Sequence, residues 1–327
     1  AVADVDHDGF PEVVVGAGST LSQGASPGVY VISHSGAFQC KFTTAAGVFS
    51  SPAVAELDYD DTGVKEIVFG DWDFKIRVIN HDCTPKYQVT LLDSVWSSPA
   101  IGDLDRDGIP EIVIGADHNP PGLVGDGGLI HAFRRNLASE MPGFPYAVDE
   151  VVYSSPALGD VDGDGWLDIV VGTGWCWDRP SCAPLGTTHN VAEVVHALNR
   201  FGTPLAGWPY VLPETRYAFG SPALADFDGD FDLEVVFNTL EKVDPPADNH
   251  GWVYVVDGDG SLLPGWPKWP NTPATCDTLV HFGTSASAVV ADLDGDGELE
   301  IALPSNIEVF VWTAAGVQLT RDDACPD

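Results

Sequence analysis

Asp103-Leu-Asp105-Arg-Asp107-Gly108-Ile-Pro-Glu111 runs straight into Ile112-Val-Ile114-Gly115-Ala116. Carboxylates at positions one, three and five of this phrase converge on a single point when the chain curls. Glycine at position six permits the left-handed backbone that a tight curl requires. A carboxylate at position nine closes the shell, a backbone carbonyl at position seven is a further oxygen ligand, and the β-branched run behind them reads as a strand. The phrase recurs as Asp4-Val-Asp6-His-Asp8-Gly9-Phe-Pro-Glu12 and as Glu56-Leu-Asp58-Tyr-Asp60, closed by Glu66. It returns as Asp160-Val-Asp162-Gly-Asp164-Gly165-Trp-Leu-Asp168, as Asp226-Phe-Asp228-Gly-Asp230 closed by Glu234, and as Asp292-Leu-Asp294-Gly-Asp296-Gly297-Glu-Leu-Glu300. Successive starts lie about 47 to 66 residues apart, the length of a four-stranded propeller blade with variable loops.

Around each acidic loop the same order of strands is legible. A short run of small residues precedes it (Ser51-Pro52-Ala, Ser98-Pro99-Ala, Ser155-Pro156-Ala, Ser221-Pro222-Ala) and is designated strand A. Its size suits a crowded inner position. Strand B is the β-branched run after the loop, and strand C follows as Val29–Ile32, Ile76–Ile79, Ile130–Phe133, Val195–Leu198, Val253–Val256 and Val309–Trp312. A turn, with glycine in most units, leads to strand D, which carries Gly143-Phe-Pro145, Gly207-Trp-Pro209 and Gly265-Trp-Pro267 in three of them. Proline is tolerated only at a sheet edge, so D lies outermost. The chain is expected to be all-β: one β-propeller domain over residues 1–327, built of four-stranded antiparallel blades. Six blades are counted, at about 1–48, 49–95, 96–152, 153–218, 219–283 and 284–327, with a seventh if residues precede Ala1.

With these repeats, and with Phe69-Gly70, Phe219-Gly220, Phe282-Gly283, Gly16-Ala17 and Gly115-Ala116 as echoes, the sequence resembles the FG-GAP/VCBS repeat family, the calcium-binding propellers of integrin α-subunits and many secreted bacterial proteins. The resemblance implies the fold and calcium. It does not imply one activity, because function lives in sites grafted on such folds.

The carboxylates point to the same ion independently. All-oxygen ligation from flexible loops favours Ca²⁺. An EF-hand would need glutamate at position twelve, where Val15, Ile114, Val171 and Leu303 stand, so the site is a hairpin loop. The competing reading is a merely acidic turn, which six copies of one internal spacing disfavour. Units 1, 3, 4 and 6 are complete and are expected to bind strongly. Unit 5 has Phe231 in place of the glycine and unit 2 delays its closing carboxylate, so these two are expected to be weaker.

The net charge of −35, from 49 acidic and 14 basic residues, excludes a phosphate backbone or an anionic membrane surface as partner. No apolar run is long enough for a spanning helix. The chain starts at Ala1 without a leader, so either a signal has been removed or the chain is a segment of something longer. Calcium and six cysteines suggest an oxidising, extracellular setting. Fifteen pairings are open. Spacing favours Cys176 with Cys182 inside one loop and Cys276 with Cys325 at one rim, leaving Cys40 with Cys83 to join blades 1 and 2; buried free thiols are the alternative. No Asn-x-Ser/Thr acceptor occurs.

Acidic loops and C–D turns share one face, and B–C and D–A connections the other. The B–C connections of blades 3 to 5 are long and carry His118-Asn119, Trp175, Trp177, Arg179, His189-Asn190 and Asn249-His250. They suggest recognition of an extracellular protein or a glycan; polar loop tips without a ligand are the bland alternative. The aromatics before strand A (Phe49, Trp96, Tyr153, Phe219) read as interblade packing. No nucleophile elbow, zinc motif or phosphate loop is present. A non-catalytic binding or adhesion module is therefore preferred. The alternatives are a structural, self-assembling subunit at the cell surface, or a calcium-dependent polysaccharide lyase. The resemblance suggests the lyase, with Arg134, Arg135, Arg179, Arg216 and Lys242 as its basic candidates.

Overall fold

A computed structural model describes residues 1–18, 26–58, 60, 62–92, 94–117, 127–174, 194–212, 216–218, 220–241, 251–268, 286–304 and 309–319. Every regular element among them is a β-strand. The first sheet runs Val2–Ala3, Glu12–Ala17, Gly28–Ile32, Phe38–Thr43, and the second Ala53–Ala55, Glu66–Asp71, Lys75–Ile79, Pro85–Thr90. The third runs Ala100–Gly102, Glu111–Ala116, Leu129–Phe133, Tyr146–Ala147, and the fourth Ala157–Gly159, Asp168–Gly172, Val194–Leu198, Tyr210–Val211. Each is an antiparallel meander in the order A-B-C-D. The fifth (Ala223–Ala225, Glu234–Asn238, Val253–Val256) and sixth (Val289–Ala291, Glu300–Pro304, Val309–Thr313) gain their fourth rung from the single bridges Val256–Leu262, Val253–Lys268 and Trp312–Gln318. A two-strand pair, Arg216–Tyr217 with Leu240–Glu241, was not anticipated from the sequence.

Two compact units result: Ala1–Pro156 with Arg200–Gly202, and Ala157–Asn199 with Thr203–Asp327. Within each, neighbouring blades pack through alternate residues of strand B. Ile67 and Phe69 pack with Val14 and Val31 of blade 1, whereas Val68 packs with Ile112 and Ile114 of blade 3. In the second unit Val235 and Phe237 pack with Val170 and Val195, whereas Val236 packs with Ile301 and Leu303. An unbroken apolar run therefore still has the two-residue strand period, with both faces buried.

Two small-residue devices hold the blades in register. The first serine of the Ser-Ser-Pro start bonds its own strand B: Ser50 Oγ donates to the Gly70 carbonyl at 2.8 Å and accepts the Gly70 amide at 3.0 Å, and Ser97 Oγ accepts the Gly115 amide at 3.1 Å. The second serine accepts an amide from the preceding blade, Ser51 N–H to Ser98 Oγ at 2.8 Å, Ser98 to Ser155 at 3.0 Å and Ser221 to Ser287 at 3.1 Å. Gly70 and Gly115 leave room for the valine before the next strand A. A Cβ there would lie 2.3 Å from Val95 and 2.2 Å from Val152.

The Gly-Phe/Trp-Pro triplets correct an expectation. They do not lie within strand D but in an excursion that interrupts it, between the rungs at Glu140 and Tyr146 in blade 3 and at Pro204 and Tyr210 in blade 4. The indole N–H of Trp208 donates to the Gly258 carbonyl, and that of Trp266 to the Ala314 carbonyl, each at 2.9 Å. Both acceptors belong to the next blade's C–D turn. Gly143 lies against the Phe201 carbonyl in the same way. The triplets are interblade fasteners.

Candidate metal centres

The acidic loops connect strands A and B. Their curl places left-handed residues at positions four and six: His7 and Gly9, Arg106 and Gly108, Gly163 and Gly165, Gly229 and Phe231, Gly295 and Gly297. The sequence reading found position six and missed position four, where only three of the five residues are glycine. Phe231 adopts φ 81°, so loop 5 keeps the common shape despite its substitution. The aspartate at position one binds the loop's own amides: Gly9 N–H to Asp4 at 3.0 Å, Gly108 to Asp103 at 2.9 Å, Gly165 to Asp160 at 2.8 Å and Gly297 to Asp292 at 3.1 Å.

The closing carboxylates Glu12, Glu66, Glu111, Asp168, Glu234 and Glu300 are all buried, none more than 3% exposed. In every blade one oxygen accepts the amide of position two: Val5 at 3.1 Å, Leu57 at 2.8 Å, Leu104 at 3.0 Å, Val161 at 3.0 Å, Phe227 at 2.5 Å and Leu293 at 2.8 Å. In blades 1 and 5 the second oxygen, Glu12 Oε1 and Glu234 Oε1, is buried without a hydrogen-bond partner, as are Asp6 Oδ1, Asp105 Oδ1 and Asp160 Oδ1. Asp4, Asp6 and Asp8 each offer an oxygen within 4.8 Å of the others, as do Glu56, Asp58 and Asp60; Asp103, Asp105 and Asp107; Asp160, Asp162 and Asp168; and Asp226, Asp228 and Asp230.

A buried carboxylate oxygen left unpaired costs free energy unless something charged or protic meets it. Burial, reinforced by Asp162, Asp164 and Asp160, pushes Asp168 up to about 7 against the pull of the Val161 amide. Burial with Asp228, Asp257 and Asp226 pushes Glu234 up to about 7 against the Phe227 amide. Converging acids raised in this way fit a divalent cation, which removes both the desolvation cost and the mutual repulsion.

Loops 2 and 3 are furnished differently. Lys86 Nζ bonds Asp58 Oδ2 and lies 2.8 Å from Glu66 Oε1. Arg134 Nη1 lies 2.8 Å from Asp105 Oδ2, 2.8 Å from Glu111 Oε1 and 3.7 Å from Asp107 Oδ2. The contacts span 20 or more residues, so no local pattern announced them.

Cys40 and Cys83 form a disulfide between blades 1 and 2. Cys176, Cys182, Cys276 and Cys325 lie outside the described residues. So do His118, Asn119, Trp175, Trp177, Arg179, His189, Asn190, Asn249 and His250, and the lyase candidate Lys242. Of the aromatics before strand A, Phe49 and Trp96 lie 5.3 Å apart and Trp96 and Tyr153 5.2 Å apart, while Phe219 is outside the described set. Trp72, from the B–C turn of blade 2, stacks on Phe49 at 4.2 Å and was not anticipated.

The family profile described as FG-GAP repeat matches residues 95–133 and 152–175, so the chain contains FG-GAP repeats in blades 3 and 4. No curated protein is significantly similar in sequence. Among solved structures, the C-terminal domain of Pseudomonas aeruginosa PilY1 is 13% identical, with a TM-score of 0.56 over 94% of this chain and 82% of that one. BamB from Moraxella catarrhalis is 13% identical, with a TM-score of 0.50 over 94% and 76%. The Dos1 propeller is 10% identical, with a TM-score of 0.52 over 94% and 69%. At these identities the likeness carries the fold alone. The fold is a β-propeller.

Proposed function

We propose that this FG-GAP-repeat propeller is an extracellular, calcium-stabilised binding module without catalytic activity of its own. The supporting observation is the closing carboxylate: one oxygen is anchored to a backbone amide in all six blades, and in blades 1 and 5 the other is buried in the acidic loop without a hydrogen-bond partner. Carboxylates at positions one, three, five and nine would hold Ca²⁺. The ion would supply positive charge where four acids converge, tying strand A to strand B in each blade so loaded. The Cys40–Cys83 disulfide is in keeping with an oxidising compartment. No helix among the described residues is long and apolar enough to cross a membrane.

Recognition is assigned to the long B–C loops of blades 3 to 5, with an extracellular protein or a glycan as partner. Trp175 and Trp177 would stack, and His118, Asn119, Arg179, His189, Asn190, Asn249 and His250 would hydrogen-bond. Thermal melting with and without chelator tests the calcium reading. The expected outcome is a fall of ten degrees or more on calcium removal, roughly the effect of losing several kcal/mol in a protein of this size, restored by Ca²⁺ and poorly by Mg²⁺. An unchanged melting point rejects it.

A further inference from the structure

We propose that Arg134 and Lys86 are built-in counter-cations that take the metal's place in loops 3 and 2, so that this chain binds calcium at loops 1, 4, 5 and 6. The inference rests on the calcium reading above and deepens it by assigning each loop its cation. In both loops a single nitrogen meets the carboxylate of position three and the closing carboxylate: Arg134 Nη1 on Asp105 and Glu111, Lys86 Nζ on Asp58 and Glu66. One charged centre shared by these two oxygens is the arrangement a metal would make. Charge-assisted contacts of this kind are the strong class of hydrogen bond.

The two side chains arrive by different routes, which argues for the vacancy they fill rather than for chance. Arg134 is the residue that opens the C–D turn, its amide bonded to the Ser139 carbonyl. The equivalent turn residues, identified by the same bond, are Ser33, Asn80, Asn199, Asp257 and Thr313. Lys86 stands two residues beyond the carbonyl that closes its turn, at a β-bulge that re-aims the side chain. Gln39, Leu205, Leu263 and Leu319 occupy that place in blades 1, 4, 5 and 6. Blades 2 and 3 thus each carry one cation at one of two positions, and the other four blades carry a neutral or acidic residue at both. Loop 3, complete by its sequence, is thereby withdrawn from the calcium sites. Loop 5 joins them, because Phe231 takes the backbone conformation of the missing glycine and Asp257 adds a further acid beside it.

Native mass spectrometry of the full chain, titrated with calcium alone, tests this by counting bound ions. Four are expected for the wild type, five for Arg134→Gln and five for Lys86→Gln, with Arg134→Lys remaining at four. The Gln variants should also melt lower than the wild type without calcium and regain the difference with it, an effect that loss of packing alone would not reverse. Six ions in the wild type, or an unchanged count in both Gln variants, overturns the inference while leaving the calcium reading intact. No ions in any of the proteins overturns both. Should the Gln variants not fold, the wild-type count decides: four supports the assignment and six ends it.

Discussion

Phe231 holds φ 81° with 85% of its surface exposed, so its ring contributes little packing to offset a backbone conformation that L residues resist. Glycine there removes a left-handed penalty of about 1 to 2 kcal/mol. Phe231→Gly is therefore expected to raise the midpoint of urea unfolding in calcium and to leave its slope unchanged. A lower midpoint would mean that the ring makes contacts not accounted for here. His196 is a second informative residue. Burial lowers its imidazole to about 4, from 6.5 in the open chain. Between these values the unfolded chain binds a proton that the folded one refuses, so stability falls as pH drops from about 6.5 towards 4. The full difference is about 3 kcal/mol. Replacing it by phenylalanine, which blade 6 carries as Phe310 at the equivalent position of strand C, should flatten that acid-side loss. Melting curves from pH 7 to 5 at saturating calcium check this, and parallel curves for the two proteins would refute it.

At the scale of the strand, serine and glycine form a matched pair. Ser50 with Gly70 and Ser97 with Gly115 place a hydroxyl on the backbone of a residue that has no side chain to block it. Blade 5 exchanges the two, with Gly220 at the serine position and Asn238 at the glycine position, where a Cβ on Gly220 would lie 2.3 Å from the Asn238 side chain. Gly115→Ala drives a methyl into Val152 and should cost about 1 to 3 kcal/mol, the usual range for overpacking. Chemical denaturation at constant calcium measures it, and a neutral result would show that the neighbouring blade can yield. Sequence showed the acidic loops and strands A to C well, because both depend on spacings of two to nine residues. It showed the FG and GA echoes without their purpose, since the valine that needs the space stands some 25 to 40 residues away. The interblade hydroxyls, the triplet excursions and the seats of Lys86 and Arg134 were not legible for the same reason. Each depends on which residues the register sets side by side, and no local periodicity encodes that.

At the scale of the molecule, a net charge of −35 means that the chain works against its own field. Without calcium the field is strongest, so added sodium chloride should raise the melting temperature of the chelated protein, because screening shortens the range of repulsion to about 10 Å at 0.1 M. The calcium-loaded protein, with part of its charge neutralised, should respond less. Equal salt responses would show that the acidic loops are not the seat of the repulsion. The disulfide between Cys40 and Cys83 resists that field in a different way, by limiting how far blades 1 and 2 can part in the unfolded chain.

The serine and indole bonds between blades share a polarity, while Lys65 and Arg135 donate the other way, to the Val5 and Leu57 carbonyls of the preceding blade. Ser51, Ser98, Ser221, Trp208 and Trp266 all donate from the earlier blade, and their acceptors Ser98, Ser155, Ser287, Gly258 and Ala314 all lie in the later one. Contacts of this head-to-tail kind do not require mirror-matched partners. A tandem duplication of one complete unit would bring both the donor and the acceptor of the serine bond, and so preserve that link on either side. Such a scaffold can lengthen or shorten by whole repeats during evolution without that joint being redesigned.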